Sequence, residues 1–103
     1  MTVQDFMLVS GAPMHLTGYE MLKEAIEIEI EGPVKPIMAV YEVVAKTHNT
    51  TAYSVERNIR TAIQKGYSNL DADIKKKLFR NAEKVATGNY IKTISYAIRN
   101  NLI

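Results

Sequence analysis

The strongest restriction on the fold comes from residues 49–66, which carry a single apolar stripe at helical spacing between two helix-end signals. Four residues lie within about 100° of one another at 100° per residue and form this stripe: Val55, Ile59, Ala62 and Ile63. Thr50 or Thr51 can cap the start, because a threonine oxygen accepts a bond from a free backbone N–H. Gly66 is predicted to end the helix in a left-handed conformation.

The opposite side of this predicted helix is polar. Four side chains lie within about 60° of one another there: Tyr53, Arg57, Arg60 and Gln64. One face is therefore suited to packing and the other to reaching outward with two guanidinium groups. A recognition helix in a DNA groove needs this layout, but many ordinary surface helices share it, so the pattern leaves both interpretations open.

Length and composition favour one small domain over residues 1–103, with a single core. The chain has no cysteine, which excludes disulfides, thiol nucleophiles and zinc sites built on cysteine. No apolar run approaches the roughly 20 residues that a membrane span requires. The start lacks the basic region and apolar core of a signal peptide. We therefore expect a cytoplasmic protein.

The net charge of +2 hides an uneven distribution. Residues 1–34 carry six acidic side chains against Lys23 alone, which gives −5. Residues 35–103 carry twelve Lys or Arg against five acidic side chains, which gives +7. A basic segment of this kind suits a polyanionic partner, although a merely dipolar protein would have the same charges.

Residues 3–10 are predicted to form a short helix that Gly11 and Pro13 end, since glycine accepts a left-handed conformation and proline lacks an N–H. A second helix is predicted from Thr17, because Thr17 and Glu20 have the spacing of a capping box.

A third helix is predicted to begin at Pro36, where the missing N–H costs nothing, and to run to about Lys46. Residues 47–50 then form a polar turn before the helix of residues 52–65. Two amphipathic helices joined by a short turn make a helix-turn-helix candidate at about residues 36–65.

Two more helices are predicted after Gly66, at residues 70–81 and from Thr87 onward. Five residues are predicted to face inward from the last one: Tyr90, Ile91, Ile94, Ile98 and Leu102. Residues 27–31 alternate Glu and Ile with a period of two, which favours a strand. We predict helix there, because the sequence offers no second strand to pair with it. The predicted fold class is all-α, a compact bundle of five or six helices containing a helix-turn-helix.

The sequence contains no glycine-rich phosphate loop, no G-x-S-x-G and no H-E-x-x-H. We therefore expect no enzymatic activity, no cofactor and no metal site. The two histidines, His15 and His48, lie in predicted loops and are expected to be hydrogen-bonded structural residues. Glu24, Glu27 and Glu31 have the spacing of a shared helix face, which a solvated surface explains better than a metal site.

Several segments resemble the motifs of one family. Residues 11–19, GAPMHLTGY, are similar to its G-V-P-A-H-I-K-G-Y, and residues 22–26, LKEAI, to its L-R-E-A-I. Residues 45–46 and 49–52 resemble the family's A-K-K-F-N-T-T-A. Residues 55–63, VERNIRTAI, resemble its V-E-R-A-I-R-H-A-I. Over nearly its whole length the chain thus resembles the C-terminal effector domain of the stage zero sporulation protein A family, the master response regulators of endospore formation.

This resemblance implies an all-helical domain that binds short boxes of double-stranded DNA sequence-specifically and regulates transcription. It implies that residues 52–65 are a recognition helix in the major groove, and that two copies bind tandem boxes head to tail. Contact with an RNA polymerase sigma factor is also implied.

The resemblance places base contacts at Glu56, Arg57 and Arg60. Arg57 is expected to read guanine, because its fork can donate to O6 and N7 together, and Glu56 can accept from a cytosine amino group. Arg60 is expected to read a base or hold a phosphate. Glu56 lies one turn before Arg60, so the two side chains could instead pair with each other.

Other contacts, to the DNA backbone or beside the bases, are expected from seven further residues: Lys46, Thr51, Tyr53, Ser54, Thr61, Gln64 and Lys84. Two of these positions depart from the family, since Ser54 replaces an arginine and Thr61 replaces a histidine. Loss of a cationic donor should weaken binding or change the preferred base.

The family's regulators carry a phosphoaccepting receiver domain ahead of this one, and this sequence has none. If the chain is complete, phosphorylation of an attached receiver is not expected to control it. The alternative function is a protein-interaction module that modulates a full-length regulator or a sigma factor without strong DNA binding of its own.

Overall fold

The computed structural model describes residues 1–33 and 35–103. These residues form six α-helices and a short 3₁₀ turn, with no strand among them. The helices are α1 (Val3–Val9), α2 (Thr17–Glu31), α3 (Ile37–Thr47), α4 (Ala52–Gly66), α5 (Ala72–Phe79) and α6 (Thr87–Arg99), and the 3₁₀ turn is Tyr67–Asn69. The all-α prediction is confirmed.

Helix α2 is the centre of the bundle, since α1, α3, α4 and α6 all pack against it. Its closest approach to α4 is at Gly18, where a Cβ atom would lie 2.0 Å from the backbone oxygen of Asn58. Only a residue without a side chain allows this approach. The position of α4 therefore depends on a glycine at the start of α2.

The alternating residues at the end of α2 are helical, as predicted, but one acidic side chain is buried. Glu29 is 3% exposed, whereas Glu27 and Glu31 are exposed. Lys92 on α6 donates from Nζ to Glu29 Oε1 at 2.9 Å and to the backbone oxygen of Lys35 at 2.9 Å. Lys92 thus links α6 to α2 and to the loop before α3.

Two helix-end predictions were wrong. Thr17 does not cap α2, because the N-cap is Leu16, which makes no side-chain cap bond, and Thr17 is already helical. Gly66 does not adopt a left-handed conformation, since its φ is −98° and the chain continues into the 3₁₀ turn. Gly66 is needed for a different reason: a Cβ atom there would lie 2.5 Å from the backbone nitrogen of Ala12. Gly11, by contrast, is left-handed as predicted, with φ 79°.

The last helices differ from their predicted extents. Helix α5 is shorter than residues 70–81, because Asp71 is its N-cap and accepts from the backbone N–H of Asp73 and Ile74, both at 3.0 Å. Leu102 does not face inward as predicted: it is 41% exposed, because α6 ends at Arg99, before that position.

The turn between α3 and α4 is held by backbone bonds. The N–H of Thr50 donates to the oxygen of Ala45 at 3.0 Å and that of Asn49 to Lys46 at 3.3 Å, around a left-handed Asn49 with φ 52°. This pair of bonds is the Schellman arrangement that ends many helices. His48 Nε2 lies 2.9 Å from Glu24 Oε2 on α2. The prediction that His48 is a hydrogen-bonded structural residue is confirmed.

Candidate nucleic-acid interface

Helix α4 begins at a capped threonine. Thr51 is the N-cap, and its hydroxyl accepts from the N–H of Ser54 at 3.1 Å, as the sequence predicted for Thr50 or Thr51. The apolar stripe of Val55, Ile59, Ala62 and Ile63 is buried. These contacts fix both the start of α4 and its rotation about its own axis.

The polar side of α4 faces outward. Its four side chains, which we name the groove face, are all exposed: Tyr53, Arg57, Arg60 and Gln64. Tyr53 is the most exposed large hydrophobic residue among those described, at 71%. The two-faced helix predicted from the sequence is confirmed.

Arg57 is the residue of the groove face that lies most directly opposite the buried stripe. No carboxylate lies within ion-pair distance of its guanidinium among the described residues. The Thr61 hydroxyl donates to the backbone oxygen of Arg57 at 3.0 Å, and this bond leaves the Arg57 side chain unengaged. The guanidinium is therefore available to an external acceptor.

Arg60 already has a partner within the chain. Its Nη1 lies 3.5 Å from Glu56 Oε1, one helical turn earlier. Glu56 lies on the flank of α4, with a side chain 27% exposed, next to the buried Tyr41 of α3. Burial, and secondarily the charge of Glu56, raise the pKa of Tyr41 to about 12. The Tyr41 hydroxyl is therefore neutral beside this ion pair.

Ser54 and Thr61 are half-buried on the flank of α4 that faces α2, and both use their oxygen atoms locally. Asn58 donates from Nδ2 to the backbone oxygen of Ser54 at 2.9 Å and to Ser54 Oγ at 3.3 Å. The sequence did not indicate this contact of Asn58 with Ser54.

The two candidate lysines lie outside α4. Lys46 is exposed in the last turn of α3, just before the tight turn into α4. Lys84 is exposed in the loop between α5 and α6. Lys84 borders the same cleft as Arg60 and Gln64, so the fold brings these three predicted contacts together.

Among residues 1–33 and 35–103 there is no group of three His, Asp or Glu side chains arranged to hold a metal ion. Within the same residues, none of the helices combines the length and the apolar character that crossing a bilayer requires.

The family resemblance has independent support. The family described as sporulation initiation factor Spo0A C terminal has a sequence model that matches residues 3–98 of this chain. That family is one of DNA-binding domains and not of enzymes. The match includes all six helices except the last residue of α6, and thus every residue of the groove face. The chain therefore belongs to the Spo0A C-terminal family, the DNA-binding effector domains of a sporulation regulator.

Proposed function

We propose that the domain binds specific sequences in double-stranded DNA by placing α4 in the major groove and reading a guanine with Arg57. The observation that carries this proposal is the exposed guanidinium of Arg57 on the groove face, which has no carboxylate within ion-pair distance among the described residues. An arginine fork matches guanine O6 and N7, and one such pair is worth about 1–3 kcal/mol of discrimination. A helix fixed by Gly18 and by the Thr51 cap can present that fork at a defined angle.

Glu56 and Arg60 act as a unit in this proposal. Their ion pair holds the Arg60 side chain along α4, at the edge of the groove face. In the complex, Arg60 binds a base or a phosphate, and Glu56 either accepts from a cytosine amino group or keeps Arg60 oriented. Replacement of Glu56 should therefore reduce the preference for specific DNA sequences, partly because Arg60 would lose the partner that orients it.

Contacts to the DNA backbone are proposed for Lys46, Thr51 and Lys84. Such contacts set the register of the protein on the duplex without reading sequence. Tyr53 and Gln64 extend the groove face at its two ends and are proposed to contact phosphates or base edges. Ser54 and Thr61, which lie on the flank, are expected to contribute less than the cationic residues of their relatives.

The proposal is tested by fluorescence anisotropy with a labelled duplex carrying two tandem family boxes and a scrambled duplex of equal length. We expect the intact domain to bind the boxes more tightly than the scrambled duplex. The logarithm of the binding constant should fall linearly with the logarithm of the salt concentration, because phosphate contacts release counterions. Arg57→Ala should remove the preference. Arg57→Lys keeps the charge but not the fork, so it should bind both duplexes with little preference.

Lys65→Ala is the matched control, because Lys65 is an exposed cation on α4 outside the groove face. This variant should bind both duplexes more weakly by a similar factor, so the ratio of its affinities for the boxes and the scrambled duplex should stay unchanged. A preference that survives in Arg57→Ala would contradict the assignment of Arg57. Absence of binding at low salt would contradict the DNA proposal and favour a protein-interaction module.

A further inference from the structure

A cleft of about 810 Å³ lies beside the recognition helix, between α4, the start of α3 and the loop that leads into α6. Its volume falls within the range of small-molecule sites, about 300–1,000 Å³. Four residues of α4 form one wall: Glu56, Arg60, Ile63 and Gln64. The opposite wall is the loop from Glu83 to Ala86 and the first residues of α6. On the far wall, only Lys84 has a role in the proposed DNA binding.

The start of α6 forms a polar end to the cleft. The N-cap, Ala86, has no side chain that can accept from the first backbone N–H groups, and the first N–H to donate within the helix is that of Tyr90, to Ala86 at 2.9 Å. The N–H groups of Thr87, Gly88 and Asn89 have no acceptor among the described residues. Free N–H groups and the helix dipole favour an anion at this position.

Thr87 gives a second, independent indication of a ligand at this end. Thr87 is only 9% exposed, yet it lines the cleft, and its hydroxyl makes no hydrogen bond within the described part of the chain. The hydroxyl oxygen itself is accessible, so it is open to a ligand in the cleft. Lys84, exposed at the mouth of the cleft, adds a positive charge near this end.

The cleft also has an apolar surface. Five side chains contribute aliphatic or aromatic surface: Ile37, Tyr41, Ile63, Tyr67 and Val85. The Tyr67 hydroxyl donates to the backbone oxygen of Ala82 at 2.7 Å, so this hydroxyl is already satisfied. A bare phosphate would leave these surfaces uncovered, whereas a ligand with a flat apolar body would bury them.

We propose that this cleft binds a small molecule that joins an anionic group, a carboxylate or a phosphate monoester, to an aromatic or aliphatic body. The anionic group accepts from the first N–H groups of α6 and from the Thr87 hydroxyl, with Lys84 close to it. The body lies against Tyr41, Tyr67 and the neighbouring aliphatic side chains.

The same ligand opposes DNA binding, because Arg60 and Gln64 belong both to the cleft and to the groove face. A bound anion competes with DNA for Arg60, and its body fills the space beside Gln64. This coupling rests on the proposed function, whereas binding of the small molecule does not depend on it.

The binding site is tested by titrating ¹⁵N-labelled protein with phenyl phosphate, inorganic phosphate and benzyl alcohol, following amide shifts by NMR. We expect phenyl phosphate to shift the amides of Thr87, Gly88 and Asn89 saturably, and to bind roughly tenfold or more tightly than either of the other two probes. Thr87→Val should weaken phenyl phosphate by roughly tenfold, since it removes one bond to a charged group.

Thr93→Val is the matched control on the same helix, because Thr93 lies outside the cleft lining and donates only to Asn89 Oδ1, at 3.3 Å. It should change the affinity for phenyl phosphate by less than about twofold.

If Thr87→Val fails to fold, Lys84→Ala, which alters an exposed loop side chain, should still weaken the binding of phenyl phosphate several-fold. Equal affinities for phenyl phosphate and inorganic phosphate would overturn the small-molecule site and leave only a contact for DNA phosphate. Absence of saturable shifts at these amides would also overturn it.

The coupling is tested with the tandem-box duplex. Phenyl phosphate, at a concentration that saturates the intact domain, should lower the affinity of that domain for the duplex severalfold. The same concentration should lower the affinity of Thr87→Val for the duplex much less. Equal inhibition of both proteins would overturn the coupling. A domain that binds phenyl phosphate at Thr87 but binds no duplex would contradict the proposed function and leave the ligand site standing.

Discussion

Gly18 sets the distance between the central helix α2 and helix α4. A Cβ atom at this position would lie 2.0 Å from the backbone oxygen of Asn58 and 3.0 Å from the Cβ of Ala62. Backbone atoms of a packed helix cannot give way as a flexible side chain can. A change at Gly18 must therefore move α4 as a whole, and with it the groove face.

We predict that Gly18→Ala lowers the free energy of unfolding by about 2–3 kcal/mol, the usual cost of overpacking. Gly88→Ala is the control, since Gly88 is also the second residue of a helix and its added Cβ would meet only Ile37 side-chain atoms at 3.5 Å or more. That change should leave stability unaltered or raise it by up to about 1 kcal/mol. Urea unfolding followed by circular dichroism measures both. Equal effects would contradict the close approach of α2 and α4.

At the scale of single residues, the sequence predicted outward and inward positions well and local conformation less well. The stripe from Val55 to Ile63 and the exposure of Arg57 follow from helical spacing alone, which depends only on the local chain. The role of Gly66 could not be predicted in this way. Its requirement for glycine comes from the backbone at Gly11 and Ala12, more than fifty residues away in the sequence.

Helix α4 is the element whose start is most clearly encoded. Thr51 has an extended backbone, and its hydroxyl accepts from Ser54, which satisfies one of the free N–H groups of the first turn. Thr51 is also a proposed backbone contact to DNA. Its replacement can therefore affect stability and binding together.

We predict that Thr51→Ala lowers the free energy of unfolding by about 1 kcal/mol, whereas Thr51→Ser, which keeps the oxygen, stays within about 0.5 kcal/mol of the native protein. Thermal or urea unfolding of the three proteins separates these outcomes. Equal stability of Thr51→Ala and Thr51→Ser would mean that the cap bond contributes nothing measurable.

The link between α2 and α6 depends on a buried acid. Glu29 Oε1 accepts from Lys92, while Glu29 Oε2 is buried and has no partner among the described residues. The alternation of residues 27–31 gave no indication of this burial, because the partner of Glu29, Lys92, lies on a helix that begins almost sixty residues later. Loss of Lys92 would leave the carboxylate buried without any partner.

We predict that Lys92→Met destabilises the fold by about 2–3 kcal/mol, somewhat less than the 3–5 kcal/mol typical of a fully buried pair, because Lys92 is 41% exposed. The double replacement of Glu29 by Leu and Lys92 by Met should recover at least half of the loss. Lys76→Met, at an exposed position of α5, serves as the control and should change stability little. A double variant no more stable than Lys92→Met would contradict this account of Glu29.

At the scale of the whole molecule, the fold class and the polar face of α4 were predictable, and the cleft was not. Helix periodicity and family motifs specify which elements exist. The cleft forms only because the loop at Glu83–Ala86 and the start of α6 lie opposite α4, an arrangement set by packing through α2. For the same reason, the meeting of Lys84 with Arg60 and Gln64 could be expected only from the family and not from spacing.

The basic character of residues 35–103 belongs to this scale as well. It includes every cation proposed to contact DNA, while the acidic residues 1–34 supply none of them. Such a distribution raises the rate of encounter with a polyanion and makes it sensitive to salt. In the proposed complex, specificity comes from the groove face and Glu56, because phosphate contacts carry no direct sequence information.

The central claim, that Arg57 reads a guanine, is tested most directly by a double-mutant cycle with the tightest-binding duplex. Each guanine is replaced in turn by 7-deazaguanine, which lacks N7, and binding is measured for the native domain and for Arg57→Ala. We predict one guanine at which this replacement weakens the native domain roughly fivefold or more and weakens Arg57→Ala by less than about twofold. Losses that are the same for both proteins at every guanine would contradict the claim.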